Sequence, residues 1–134
     1  RPLPFQNPSA VRQAEELLGQ QIESLNNAFN AVLLPIQQLI AKNPGNIPSI
    51  EEVAASFHVS SRTLNRRLKD MGTTFKEIVA EVRKKLAIEY LRNSKNSIDE
   101  IAYLLGYQDP SNFSKAFRNW TGHSPTQYRE MFLS

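Results

Sequence analysis

The sequence predicts an all-α fold: two helix-turn-helix subdomains joined by a long linker helix, preceded by an additional N-terminal helix. Three observations carry this. Apolar residues recur at three- and four-residue steps along most of the chain, the spacing that lines one face of a helix. The segments opening at Ser49 and Ser97 repeat one plan: Ile50, Glu52, Val53, Ala54 and Phe57 match Ile98, Glu100, Ile101, Ala102 and Leu105 at a constant separation of 48 positions. Leu64 and Leu68 then match Phe113 and Phe117 at 49, so a helix pair is duplicated with one residue added in the second turn. Between the copies, the helical period holds from Phe75 to Leu91.

Composition narrows the class. The chain has 134 residues, 40% of them hydrophobic, enough for one compact core or two small ones sharing a helix. It has no run of eighteen apolar residues and no signal-peptide pattern, so nothing in it reads as a membrane span. It has no cysteine, which removes disulfides and thiolate metal sites and agrees with a cytoplasmic protein. Net charge is only +3, but residues 60–95 hold ten Lys or Arg against four acids. That middle segment is either the part that meets a polyanion, releasing counterions, or a solvated helix face.

Residues 1–8 contain three prolines and are expected to be extended. The chain does not begin with methionine, so a fragment lacking an upstream domain is expected. From Ser9 to about Leu34 a helical pattern runs through Val11, Leu18, Ile22, Leu25, Phe29 and Val32, continuing past Pro35 to Ile36 and Leu39. From Leu18 onward the steps alternate four and three, a heptad seam of three repeats. A homodimer contact through residues 9–40 is one reading. Packing within one chain, or on absent residues, is the other, and Pro35 is expected to break or kink the seam. Pro35 to Lys42 read as a short helix ended by Asn43, Pro44 and Gly45.

The first helix-turn-helix is expected over residues 49–71. Ser49 with Glu52 forms a capping box, Ser60 is the second N-cap, and His58 occupies the turn because histidine tolerates positive φ. Leu64 and Leu68 point inward, so Arg62, Asn65, Arg66 and Lys69 fall on the opposite side, where Arg can pair with guanine and Asn with adenine. Arg67 lies off that line and suits a phosphate, as do Ser61, Arg83 and Lys84. Thr74 with Glu77 opens the linker helix, 74–93, whose far face is read as Lys76, Arg83, Lys84 and Lys85. About 18 residues span roughly 27 Å, comparable with the roughly 34 Å between successive major grooves on one side of DNA.

The second helix-turn-helix, 97–121, starts on the Ser97–Glu100 capping box and turns at Gly106, with Tyr107 inside the angle. Asp109 and Pro110 open its second helix. Phe113, Phe117 and Trp120 form the buried side, leaving Ser111, Asn112, Ser114, Lys115 and Arg118 outward, small donors and cations suited to a major groove. A final helix, 124–132, is expected to cover this pair with Tyr128, Met131 and Phe132. No Ser/His/Asp set, paired-carboxylate motif, metal-ligand spacing or phosphate loop is visible, so no enzyme, metal or cofactor is expected. A helical protein-interaction module built on the heptad stripe is the alternative class.

The run IAYLLGYQDPSNFSKAFRNWTGHSPTQYR, residues 101–129, resembles the signature of the AraC/XylS family of bacterial transcription regulators: I-A, L-G-Y, F-S-x-A-F, W-x-G-x-S-P and Y-R. Residues 36–132 resemble the whole family DNA-binding domain, placing its boundaries at about 35–132, with 1–34 as an extended segment and a linker or dimerisation helix. The form SSRTLNRRLKDMGTTF further resembles the branch with an arabinose-binding-type or ornithine-regulator-type N-terminal domain. The resemblance implies base reading by Arg62, Asn65 and Arg66 and by Ser111, Asn112, Ser114 and Lys115. It also implies asymmetric double-stranded DNA sites, a bacterial cytoplasmic and nucleoid-associated location, activation through RNA polymerase, and an effector ligand, where there is one, held by the upstream domain. Two departures stand out: His58 replaces the usual turn glycine, and Lys115 replaces a common arginine. Lysine lacks the fixed donor fork, which favours phosphate contact over base readout there.

Overall fold

The computed structural model describes residues 8–133, and the chain divides into two compact units, Arg1–Pro35 and Ile36–Ser134. Among the described residues every regular element is helical: α1 (Pro8–Ala28), a π-helical segment (Phe29–Leu33), α2 (Leu34–Lys42), α3 (Ile50–Ser56), α4 (Ser61–Asp70), α5 (Phe75–Asn93), α6 (Ile98–Leu104), α7 (Pro110–Thr121) and α8 (Pro125–Leu133). The extended segment expected over 1–8 falls on residues 1–7, outside the described residues, and on Pro8, which opens α1 as proline readily does at a first helical position.

Pro35 does not stop a helix. It lies within α2, and the five residues just before α2 form the π-helical segment. Proline cannot donate to the carbonyl four residues back and its ring crowds that carbonyl, so the preceding turn widens instead of breaking. The heptad stripe is split at the same place. Leu18, Leu25 and Phe29 are 58%, 68% and 41% exposed, whereas Ile36 is fully buried in the second unit. Ile36 is therefore core, while Leu39, the last member of the stripe, is exposed.

In the second unit, α5 serves both helix pairs. Ala87 and Leu91 from its second half join Ile101, Ala102, Leu105, Phe113 and Phe117 in one buried cluster. The other buried aliphatic side chains, Ile36, Ile40, Val53, Ala54, Leu64, Leu68, Ile78 and Val82, come from α2, α3, α4 and the first half of α5. A chain of ring contacts continues the cluster around Phe113 and Phe117 outward: Tyr107 to Phe113 at 5.6 Å, Phe113 to Phe117 at 5.8 Å, Phe117 to Tyr128 at 5.3 Å and Tyr128 to Phe132 at 5.0 Å. Tilted and edge-on pairs of this kind add about 0.5–1.5 kcal/mol each beyond area burial. Trp120 meets the Phe117 ring edge-on, so Phe117 touches three other rings. Tyr128 covers the pair as expected, but Met131 is exposed, and Phe132 is exposed on one side with the Arg92 guanidinium 4.6 Å from its ring centre.

The duplication is visible in the turns. After α3, the His58 amide donates to the Ala55 carbonyl and the Val59 amide to Ala54; after α6, Gly106 donates to Tyr103 and Tyr107 to Ala102. These are corresponding bonds 48 positions apart, the double bond pattern that closes a helix on a left-handed residue. His58 accordingly has φ 59° and Gly106 has φ 91°. The helix starts behave as their side chains dictate. Ser97 and Glu100 close a capping box in both directions, Ser49 Oγ accepts from the Glu52 amide, and Ser60 Oγ accepts from Thr63. Thr74 accepts from the Glu77 amide, while the Glu77 carboxylate accepts from the Thr73 hydroxyl.

Arg129 of α8 adds a hydrogen-bonded tie to the end of α5. Arg129 Nε donates to the Leu91 carbonyl at 3.1 Å and Nη1 to the Asn96 carbonyl at 2.6 Å. Nη2 lies 3.3 and 3.4 Å from the Tyr90 and Ser94 carbonyls. A helix leaves its last carbonyls without intrahelical partners, and a cation there also meets the negative end of the helix dipole.

Candidate nucleic-acid interface

On α4, Leu64 and Leu68 are buried and Arg62, Asn65, Arg66, Arg67 and Lys69 are all exposed. At about 100° per residue, Arg62, Arg66 and Lys69 fall within about 60° of one another on the side away from the two leucines, with Asn65 at their flank. Arg67 projects elsewhere around the helix. Arg67 and Lys69 are in the last turn, where cations complement the helix dipole. Ser61 is half-buried at the first helical position, next to amides that have no intrahelical partner.

α7 repeats the arrangement. Phe113 and Phe117 are buried, and Ser111, Asn112, Lys115 and Arg118 are exposed. Ser111, Ser114, Lys115 and Arg118 stand where Arg62, Asn65, Arg66 and Lys69 stand in the first copy, each 49 positions later. Ser114, expected to face outward, is half-buried because its position lies on the flank nearer the core. The Ser111 amide donates to Asp109 Oδ1 at 2.9 Å and holds that carboxyl below its usual range, with a smaller pull from the Lys115 charge. α7 thus starts on an ionised cap whose charge lies near the Lys115 cation.

The three phosphate candidates outside the exposed faces of α4 and α7 part company. Lys84 is half-buried on α5, like Ser61 on α4. Arg83, read from sequence as part of an outer face with Lys76 and Lys85, points the other way. Its guanidinium carbon lies 4.8 Å from the centre of the Tyr107 ring, and its Nε is enclosed with no hydrogen-bond partner. A planar cation finds a better position over an aromatic face in the turn of the second helix pair than in solvent. The roles of Arg83 and Arg129 were not apparent from sequence. The Tyr-Arg pair at 128–129 was visible as a motif, but nothing local shows that its arginine reaches the end of α5.

Among the described residues no group of three His, Cys, Asp or Glu is placed to hold a metal ion, and no helix is long and apolar enough to cross a membrane.

Residues 53–131, more than half of the chain, match the profile of a family described as "Helix-turn-helix domain", of the AraC type. The chain belongs to the AraC-type helix-turn-helix family. Similar relatives include the ornithine utilization regulator of Pseudomonas aeruginosa, 40% identical over 130 residues, covering 97% of this chain and 38% of the relative. The regulator VqsM of the same species is 34% identical over 133 residues, covering 98% and 41%. The chain therefore spans well under half the length of these relatives. Among solved structures, a DNA-binding transcriptional dual regulator from Escherichia coli K-12 superposes with a TM-score of 0.70 at 26% identity, covering 73% of this chain and 88% of that one. The DNA-binding domain of AdpA, solved in complex with a target DNA, superposes with a TM-score of 0.67 at 26% identity, covering 75% and 92%. The AraC-type family is one of DNA-binding transcription regulators rather than enzymes, and this chain carries its two-helix-pair DNA-binding fold.

Proposed function

We propose that the chain binds double-stranded DNA by laying α4 and α7 in adjacent major grooves, and that the regulator containing it activates transcription from the site so read. The observation that carries this reading is the equivalence of the two polar faces, Arg62, Asn65, Arg66 and Lys69 against Ser111, Ser114, Lys115 and Arg118, each borne on a helix anchored by two buried apolar residues. Arg62 and Arg66 fit guanine O6 and N7, and Asn65 fits adenine N6 and N7. Arg67, Ser61 and Lys84 position the protein on phosphates. On α7, Ser111, Asn112 and Ser114 read bases, while Lys115 and Arg118 combine charge with readout. The 19 residues of α5 span about 28 Å, the scale of the spacing between grooves on one side of the duplex. The DNA-binding domain runs over 35–132, with 1–34 leading into it; the structural division at Pro35/Ile36 supports that boundary.

Activation is supported by the likeness to the transcriptional activator PerA of E. coli, 31% identical over 109 residues, and contact with RNA polymerase is the route inferred for it. Cytoplasmic, nucleoid-associated residence goes with DNA as partner. An effector ligand, where there is one, is inferred to bind outside these residues, since the relatives extend well beyond the matched part. The exposed stripe Leu18, Ile22, Leu25 and Phe29 on the first unit, at alternating four- and three-residue steps, supports pairing of two chains. Sedimentation is expected to give a dimer that Leu25→Glu splits; a monomer throughout contradicts pairing through the stripe.

Selection of bound sequences from random DNA tests the main reading. A motif of two conserved segments centred about 10 to 10.5 base pairs apart is expected. Recovery of one short segment, or of none, contradicts it.

A further inference from the structure

Arg83 stands where the lead-in to the first helix pair touches the turn of the second. Pro44 and Gly45 precede α3, and residues 104–107 turn the chain from α6 toward α7. The two backbones meet: a Cβ on Gly106 would stand 3.0 Å from the Pro44 carbonyl oxygen and 3.4 Å from that of Gly45, and a Cβ on Gly45 would stand 3.4 Å from the Leu104 carbonyl. Arg83 Nη2 lies 3.4 Å from that same Gly106 Cβ position, and its guanidinium lies over Tyr107. Tyr107 in turn packs on Phe113, the first buried residue of α7. One side chain of the linker helix is thus wedged against the seam between the two helix pairs, one ring away from the second recognition helix.

We propose that Arg83 is a positioning residue, a planar wedge that locks the Leu104–Tyr107 turn against Pro44 and Gly45 and so fixes the separation of the two DNA segments the protein accepts. The inference rests on the two-groove reading. The planarity of the guanidinium is the operative property. It covers the Tyr107 face while its edge meets the glycine, which an ammonium on a flexible stem does not reproduce. The enclosed, unpartnered Nε shows that this edge of the guanidinium faces the protein and not solvent. Burial raises the Tyr107 phenol above its ordinary range, with the Arg83 charge and a side-chain hydrogen bond with Arg83 pulling the other way, so the ring under the guanidinium stays neutral at working pH.

The test uses the whole chain, the site obtained by selection, and duplexes in which the two segments are moved apart or together by one base pair. A rigid protein forced onto an altered spacing gives up at least one good base contact, so the parent chain should prefer the native spacing about tenfold. Arg83→Lys keeps the charge and loses the flat stack. It is expected to bring that preference close to one, with an unchanged slope of log affinity against log salt. Tyr107→Leu, which removes the face, should do the same. Tyr107→Phe, which keeps it, should retain the tenfold preference. If Arg83→Lys keeps the preference while Arg83→Met weakens every spacing equally and lowers the salt slope by about 0.9, Arg83 is a phosphate contact and the wedge is refuted. Retention of the preference by Tyr107→Leu also overturns it. A parent chain that selects a single segment removes the two-groove reading, an outcome recognisable before any variant is made.

Discussion

Replacing Arg129 by methionine keeps most of the stem's length and removes the donors that close the end of α5. The cost follows from the carbonyls left behind. Tyr90 still accepts from the Ser94 amide at 3.1 Å and the Ser94 hydroxyl at 2.7 Å, so its long contact to Nη2 adds little. The Ser94 contact, at 3.4 Å, is equally marginal. Leu91 and Asn96 lose the two short bonds, at 3.1 and 2.6 Å, and both lie in a partly buried setting. A hydrogen bond from a charged donor contributes about 1.5–3 kcal/mol. Taking the lower end twice, because water reaches part of the site, gives about 3 kcal/mol. With a urea dependence of about 1.5 kcal/mol per molar, the unfolding midpoint should fall by about 2 M, followed by far-ultraviolet circular dichroism. Arg129→Lys should recover less than half, since one ammonium cannot serve both carbonyls along a fixed fork. A midpoint within 0.3 M of the parent for Arg129→Met, using about the same slope, would show that these bonds are replaced by water at no cost and that the α5–α8 tie is incidental.

Arg62→Ala and Arg66→Ala should each cost about 1–3 kcal/mol on the selected site while leaving binding to unrelated DNA nearly unchanged. Arg67→Ala should weaken both alike and reduce the salt slope by about 0.9, measured by fluorescence anisotropy at several salt concentrations. Glu100 and Asp109 are held below the ordinary carboxylate range, chiefly by the Ser97 and Ser111 amides. Their folded values thus lie below the unfolded ones, so their stabilisation is complete above the unfolded range and is lost as pH falls through the folded values. Urea midpoints taken from pH 6 to pH 3 should fall less steeply for Glu100→Gln and Asp109→Asn than for the parent. His58→Gly should stabilise by about 0.5–1 kcal/mol by relieving a left-handed side chain, whereas Gly106→His should destabilise strongly, because its Cβ would meet the Pro44 carbonyl. Thermal unfolding of both variants reads that asymmetry.

The local grammar of this chain is strong, which is why its helices, caps and turns could be read in advance. Ser97 and Glu100 announce a capping box whose two bonds depend on residues three apart, and His58 could be placed in a left-handed turn because the duplication aligns it with Gly106. The exposed faces of α4 and α7 follow from the same periodicity, since burying Leu64 and Leu68, or Phe113 and Phe117, settles what the opposite side must do. What stayed hidden depends on contacts distant along the chain. Arg129 reaches carbonyls 33 to 39 residues away, and Arg83 meets a ring 24 positions later, and no local pattern encodes either. The heptad stripe leaves two readings open, because its spacing does not reveal which members a second core will claim. Ile36 fits the seam by number and lies in the second unit's interior by packing. At Pro35 the sequence showed a missing donor, but a widened turn and a broken helix are both answers to that loss.

The most direct test of two-groove reading is methylation interference on the selected site. Dimethyl sulfate marks guanine N7 in the major groove and adenine N3 in the minor groove, so the positions that block binding report which groove is occupied. Interference at guanine N7 in two clusters about one helical turn apart on one side of the duplex is the expected pattern. A single cluster, or interference confined to adenine N3, would contradict it.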